Sequence, residues 1–230
     1  MRVLLTNDDG IAAPGLACLR KAVMAMGASE VWVVAPSAEH SMCGHRLTTH
    51  QPLLTKEMEP GSWAVEGTPA DCVRVALFAL GLKPDWVFSG VNAGGNLGQD
   101  LVISGTCAGA REAAYHGVGA IAFSHYLRRE VSVDWHRTAQ WTMRVARDLQ
   151  AKPCASGQWW CVNFPHHPPG AMEMPRQVLA RPARSPLPVS FRSVDGGYLY
   201  NASYASRARD KGSDVEACFE GHISVVCEHV

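Results

Sequence analysis

Residues 85–124 read DWVFSGVNAGGNLGQDLVISGTCAGAREAAYHGVGAIAFS, and the succession of textures along them decides the fold. Asp85 to Ser89 is a short apolar run rich in β-formers, which predicts a buried strand. Gly90 to Gly105 is a connection rich in glycine and asparagine, Thr106 to His116 is a small-residue helix, and Ala120 to Ser124 is apolar again. A strand, a helix and a second strand in one unit of this length predict a parallel pair joined by a crossover helix.

The alternation continues outward in both directions. Upstream, Arg2 to Thr6 is predicted as a strand and Pro14 to Met26 as a helix ending near Gly27. Val31 to Ala35 is a second buried strand, closed by Pro36. A polar loop, SAEHSMCGHR, leads to a weaker extended stretch from Leu47 to Leu54. Thr68, Pro69 and Asp71 then have the chemistry of a helix start, and VRVALFAL carries that helix to Gly81. Downstream, Asp134 to Gln150 is a long amphipathic helix and WWCVNFP one more strand. From about residue 156 the chain turns proline-dotted and strand-biased, with HISVVC near the end. The expected fold is α/β: a Rossmann-like, mostly parallel sheet wrapped by helices, with a β-rich C-terminal extension. Residues 1–155 are expected to form the catalytic core. Residues 156–230 are expected to add the last core strand or strands and a C-terminal arm used in oligomerisation, within one structural domain.

The totals exclude several classes. The 230 residues are 47% apolar and 18% charged, and 21 basic residues balance 21 acidic ones. No net field points to a nucleic-acid polymer or an anionic membrane. No apolar run approaches a membrane span, and the apolar run at the start is too short for a secretion signal, which predicts a cytoplasmic protein. The eight cysteines, at 18, 43, 72, 107, 154, 161, 218 and 227, form no CxxC pair and are expected as reduced, mostly buried thiols.

In an open parallel sheet, ligands bind beyond the strand C-termini. Three polar clusters fall there: Asn7-Asp8-Asp9 after the first strand, Ser37 to His45 after the second, and Ser89 to Asn92 after DWVFS. Two ionised carboxylates about 4 Å apart repel by roughly 4 kcal/mol at an effective dielectric of ~20. A solvated turn, a shared proton or a bound cation would each relieve the repulsion between Asp8 and Asp9. The oxygen-rich chemistry of these clusters suits Mg²⁺, Mn²⁺ or Ca²⁺ better than zinc. His40 and His45 are more simply solvated loop residues than ligands, and no histidine-plus-acid arrangement marks Cys43 as a nucleophile. In SGT at the start of a helix, orphan backbone donors and the helix dipole favour a phosphate.

Four blocks, TNDDGIAAPG, VVAPSAEHSMCGHRLT, GTPADCV and SGVNAGGNLGQDLVISGTCAGA, in this order and spacing, resemble the survival protein SurE family. VNFP and KGSDVEACFEGHISV resemble its later segments. The resemblance implies a divalent-metal-dependent phosphatase of nucleoside monophosphates, with 5′-nucleotides as substrates and 3′-nucleotides as further candidates. It implies one Mg²⁺ or Mn²⁺ per subunit held by Asp8, Asp9, Ser41 and Asn92, with Asp8 and Asp9 also catalytic. It places Asn96, Ser104, Gly105 and Thr106 in a phosphate pocket and implies a homodimer or homotetramer. The chain departs from the family pattern at Met42, Cys43, Ile103 and Ser213, and is shorter between VNFP and KGSD. The expected mechanism is in-line water attack, with an aspartyl-phosphate route as the runner-up. A receiver-like signalling module also fits TNDDG, but such a module needs an aspartate where DWVFS ends in Ser89. A nucleotide-binding protein without hydrolysis is the other alternative. A dinucleotide-binding dehydrogenase is disfavoured, because NDDGIAAPG lacks the GxGxxG turn.

Overall fold

The computed structural model describes residues 1–127, 132–152, 155–166, 173–201 and 203–230. Cys154 lies outside them; of the seven cysteines within them, five are buried. In chain order the elements are β1 (Arg2–Thr6), α1 (Pro14–Ala25), β2 (Glu30–Pro36), β3 (Thr55–Glu59), β4 (Ser62–Val65), α2 (Pro69–Arg74), β5 (Trp86–Asn92), α3 (Asp100–Ile103), α4 (Gly105–Tyr115), β6 (Gly119–His125), α5 (Trp135–Gln150), β7 (Gln158–Phe164), β8 (Gln177–Leu179), β9 (Phe191–Val194), β10 (Gly197–Tyr200), α6 (Asp214–Phe219) and β11 (Ile223–His229).

Nine strands make one sheet in the order β3-β4-β2-β1-β5-β6-β7-β11-β8. From β4 to β7 every neighbouring pair is parallel, while β3 and β11 run antiparallel to β4 and β7. The tail therefore continues the sheet: β7 pairs with β6, and β11 and β8 follow it. Successive residues of β1 bury opposite faces, as a period of two requires. Val3 and Leu5 pack in a layer with Leu16 and Leu19 of α1 and Val145 and Leu149 of α5. Leu4 packs on the other side with Val73 of α2 and Ala110 and Ala113 of α4. With both faces covered, the central strands read as unbroken apolar runs, which is why they were legible.

Three features depart from the expectations. The stretch 47–54 forms no strand; the extended pair is the β3–β4 hairpin that follows it. The helix after Pro69 changes at Val75–Ala79 to a π-helical turn, in which Leu80 N–H reaches Val75 O at 2.9 Å. α6 interrupts the strand-biased tail, its first turn capped by Ser213 Oγ, which accepts the Glu216 N–H at 3.2 Å. In keeping with the expected β-rich C-terminal extension, β9 and β10 form a two-stranded hairpin that, among the described residues, pairs with no strand of the main sheet.

From β1 the chain moves outward to β2 and β4, then returns to β5 on the other side of β1 and proceeds to β6 and β7. The direction reverses between β1 and β5, and a crevice opens where the connections part. Asp8 and Asp9 follow the C-terminal end of β1, and Asn92 ends β5.

Candidate active site

Asp8 is buried, at 5% exposure, directly beyond β1. Its Oδ1 accepts the hydroxyl hydrogen of Thr106, a residue in the first turn of α4 with no exposed surface. Burial pushes the Asp8 carboxyl up to about 6, partly offset by the Thr106 hydroxyl and backbone and reinforced by the charge of Asp9. The carboxylate thus sits where the orphan donors and dipole of α4 favour an anion. Such close approach needs a residue without a side chain at 105. A Cβ on Gly105 would stand 2.8 Å from Asp8 Cβ, 2.8 Å from Cys43 Sγ and 3.0 Å from Asp8 Oδ2. One turn further along α4, a Cβ on Gly109 would stand 3.0 Å from Ser89 Oγ and from Thr6 Cγ2, so small residues also let the helix lie close on β1 and β5.

Asp9 is half-buried, and its Oδ2 accepts the Ala93 N–H at 3.2 Å. Burial raises its carboxyl above the usual range, Ala93 lowers it, and the charge of Glu39 raises it. Asn7, in the same turn, donates to Gly10 O at 2.9 Å, while its buried Oδ1 accepts no hydrogen bond among the described residues. β5 reaches this point through an irregularity in its pairing with β6 between Ser89 and Asn92. The Asn92 amide then donates to Gly94 O at 2.9 Å, which folds the start of the glycine-rich connection beside Asp9.

The loop after β2 is held against the same rim. His40 N–H donates to Asp8 O at 2.7 Å, and Gly44 N–H to Ile103 O at 2.9 Å, just before α4. Ser41 is exposed, and its hydroxyl is turned to Glu39. Farther along, His45 Nε2 lies 2.7 Å from Glu112, a carboxylate of α4 that also receives Arg74 Nε at 2.5 Å and His116 Nε2 at 2.9 Å. Burial pushes Glu112 up, but these three partners together hold it at about 2. The loop carrying Ser41 is thereby tied to α2 and α4.

The expected phosphate residues divide. Ser104 accepts the Cys107 N–H at 3.0 Å and caps α4. Gly105 and Thr106 adjoin Asp8. Asn96 is turned to the sheet: its N–H reaches Asn163 Oδ1 at 2.7 Å, and its side-chain amide donates to Ser124 Oγ at 2.8 Å. The next amides along the connection are also occupied, Leu97 N–H on Asp100 at 3.1 Å and Gly98 N–H on Asp214 at 2.7 Å. The donors expected of the glycine-rich stretch are therefore spent inside the protein at residues 96–98, and the anion-favouring position is the first turn of α4.

Several participants were not singled out in the sequence. Asn163 was visible only as part of VNFP, and Glu39 as one of several loop polars. Ala93 acts through its backbone, for which composition carries no signal. Among the described residues, no three or more His, Cys, Asp or Glu side chains cluster as a metal cage. The carboxylates of Asp8 and Asp9, with the Asn92 amide and the Ser41 hydroxyl on the loops of the same rim, are a hard-oxygen donor set, and a desolvated Asp8 carboxylate fits a small divalent cation.

The chain matches the family model described as survival protein SurE over residues 3–184. It is 42% identical over 225 residues to a putative 5′-nucleotidase of Nostoc sp., covering 98% of each chain. It is 38% identical over 233 residues to a 5′-nucleotidase SurE of Paramagnetospirillum magneticum, covering 98% of this chain and 88% of that one. The crystal structure of the SurE protein from Aquifex aeolicus superposes with a TM-score of 0.86 at 31% identity, covering 100% of this chain and 93% of that one.

Proposed function

Because the chain belongs to the survival protein SurE family, we propose that it is a metal-dependent phosphomonoesterase hydrolysing nucleoside monophosphates to nucleoside and phosphate. 5′-Nucleotides are the first substrates in this reading, and 3′-nucleotides the second to assay. The observation that carries it is the meeting of three remote segments at the switch point of the sheet: Asp8 with Thr106, and Asp9 with Ala93.

In this reading Asp8, Asp9, Asn92 and Ser41 would hold one Mg²⁺ or Mn²⁺, the Ser41 hydroxyl being turned to Glu39 here. A divalent cation held by these residues would supply Lewis-acid chemistry, polarising a phosphoryl oxygen and acidifying water. The first turn of α4, which already favours the Asp8 charge, extends the same field to a phosphate dianion lying against Gly105 and Thr106. Ala93 N–H occupies one lone pair of Asp9 Oδ2, which leaves the remaining lone pairs of the carboxylate to face the metal and to orient an attacking water in line.

Purified protein assayed on AMP, 3′-AMP and p-nitrophenyl phosphate with Mg²⁺ or Mn²⁺ tests the reading. Hydrolysis abolished by EDTA and restored by either metal is expected. Turnover that survives EDTA removes the metal from the reaction, and nucleotide binding without phosphate release removes the hydrolysis.

The reading includes a homodimer or homotetramer in the cytoplasm. The β9–β10 hairpin supports the first part, because among the described residues it pairs with no other strand and leaves Phe191 58% and Tyr198 78% exposed. An isolated two-stranded hairpin with such side chains is marginal in water. Light scattering on the protein with and without residues 190–201 checks it: a mass unchanged by the deletion assigns assembly elsewhere. The five buried cysteines among the described residues suit a reducing compartment. Among the described residues, no helix is long and apolar enough to cross a membrane.

A further inference from the structure

The segment beyond the β9–β10 hairpin folds back over the glycine-rich connection and grips it. Arg207 is 5% exposed, and its two terminal nitrogens diverge. Nη1 donates to Asp100 Oδ2 at 2.6 Å and Nη2 to Leu97 O at 2.7 Å. Tyr204 donates its hydroxyl to the same Asp100 oxygen at 2.7 Å, with Gly95 O at 3.2 Å from that hydroxyl. The Arg207 guanidinium stacks over the Tyr204 ring at 4.6 Å, and Tyr204 in turn stacks on Tyr126 at 6.0 Å, just past the end of β6. At the other end of the connection, Ala93 N–H meets Asp9.

A run such as Ala93-Gly94-Gly95-Asn96-Leu97-Gly98 has high conformational entropy and does not choose one path by itself. We infer that Arg207 is a positioning residue for the candidate metal site: by holding Asp100 and the Leu97 carbonyl it fixes the connection that presents Ala93 N–H to Asp9 and carries Asn92. The inference rests on the proposed metal reading for its consequence, but not for the clamp itself. A fork is needed because the two acceptors lie in different directions. A lysine ammonium keeps the charge beside Asp100 and cannot match both geometries.

The informative variant is Arg207→Lys, since Arg207→Ala leaves Asp100 buried without its cation and risks the fold. Leu149→Ala, which opens the core under α5 away from the site, supplies a control of comparable thermal destabilisation. Hydrogen exchange of peptides spanning 93–100 is followed alongside Mn²⁺ affinity, read from free Mn²⁺ by electron paramagnetic resonance. In Arg207→Lys, exchange in 93–100 is expected to accelerate about tenfold or more, and the Mn²⁺ dissociation constant to rise about tenfold. Leu149→Ala is expected to leave both near wild type. Unchanged exchange in Arg207→Lys overturns the inference, and so does accelerated exchange with unaltered Mn²⁺ affinity. Equal weakening of Mn²⁺ binding in the Leu149→Ala control also overturns it, because the effect would then follow stability alone. If the wild-type protein takes up no Mn²⁺ while exchange in Arg207→Lys still accelerates, the metal reading fails and the clamp on the loop stands.

Discussion

Thr106 donates its hydroxyl to Asp8, joining the first turn of α4 to the end of β1, and both side chains are buried. A hydrogen bond to a charged group contributes about 1.5–3 kcal/mol, and its loss leaves a desolvated carboxylate with one donor fewer. Thr106→Val keeps the shape and removes the donor, whereas Thr106→Ser keeps the donor. The expected outcome is a fall of roughly 10- to 100-fold in kcat/KM on a phosphate ester for the valine variant, with most activity retained by the serine variant. Mn²⁺ affinity should fall in parallel, because the hydroxyl acts through Asp8. Equal kinetics for wild type and Thr106→Val would show that this contact plays no part in the chemistry.

The raised Asp8 carboxyl gives the metal-free protein a signed pH dependence. Its ordinary value is 3.8 and its folded value about 6, so between these the folded chain holds a proton that the unfolded chain has released. Stability from this group is therefore present at low pH and lost as pH rises through about 6, by up to roughly 3 kcal/mol. Glu112 acts in the opposite sense, but only as pH falls from 4.5 toward about 2. The lowered His40 also opposes Asp8, losing stability as pH drops below 6.5. The difference in Tm between wild type and Asp8→Asn isolates Asp8: in EDTA the asparagine variant should gain on wild type between pH 5 and 7.5. A gap that does not change over that range would mean Asp8 titrates as it does in the unfolded chain.

Asp9→Asn separates function from fold. Asp9 accepts one backbone N–H and feels repulsion from Asp8 and Glu39, so the neutral amide relieves charge without opening a cavity. Metal-dependent turnover is expected to fall by more than about 100-fold, while the Tm in EDTA stays level or rises. With saturating Mn²⁺, wild type should gain stability that the variant lacks, about 2.7 kcal/mol at a hundredfold excess over the dissociation constant. A large drop in the metal-free Tm of Asp9→Asn would assign the residue to the structure instead.

How much of this was legible depended on length and on whether side chains or backbone carried the information. β1, β2, β5 and β6 were visible because both faces of each are buried, and α5 because sixteen residues display an amphipathic period. α6, with six residues, is too short to show one; its signal was the S-x-x-E spacing of Ser213 and Glu216. The β3–β4 hairpin was displaced because TKEME is exposed throughout and shows no apolar alternation. At the site, Asp8 and Asp9 stood out as charges where charges are costly. The capture of the glycine-rich amides by Asn163 and Asp214 depends on partners 67 and 116 residues away, which local composition does not encode.

Gly105 offers the sharpest test of the close fit between α4 and β1. Alanine is a better helix former than glycine, by about 1 kcal/mol, so helix propensity alone predicts that Gly105→Ala stabilises α4. The added methyl would lie 2.8 Å from both Asp8 Cβ and Cys43 Sγ, closer than carbon and sulfur atoms tolerate. Cys43 belongs to a half-exposed loop that can withdraw, but Asp8 is held by β1 and by Thr106. The strain therefore falls on the carboxylate. The expected result is a folded protein whose Tm changes by only a few degrees, whose kcat/KM on AMP drops about tenfold or more, and whose Mn²⁺ affinity falls with it. Adding Cys43→Ala removes one of the two obstructing atoms and should recover part of the loss. Failure of that recovery, with Asp8 unmoved in a crystal structure of Gly105→Ala, would place the cause outside this contact.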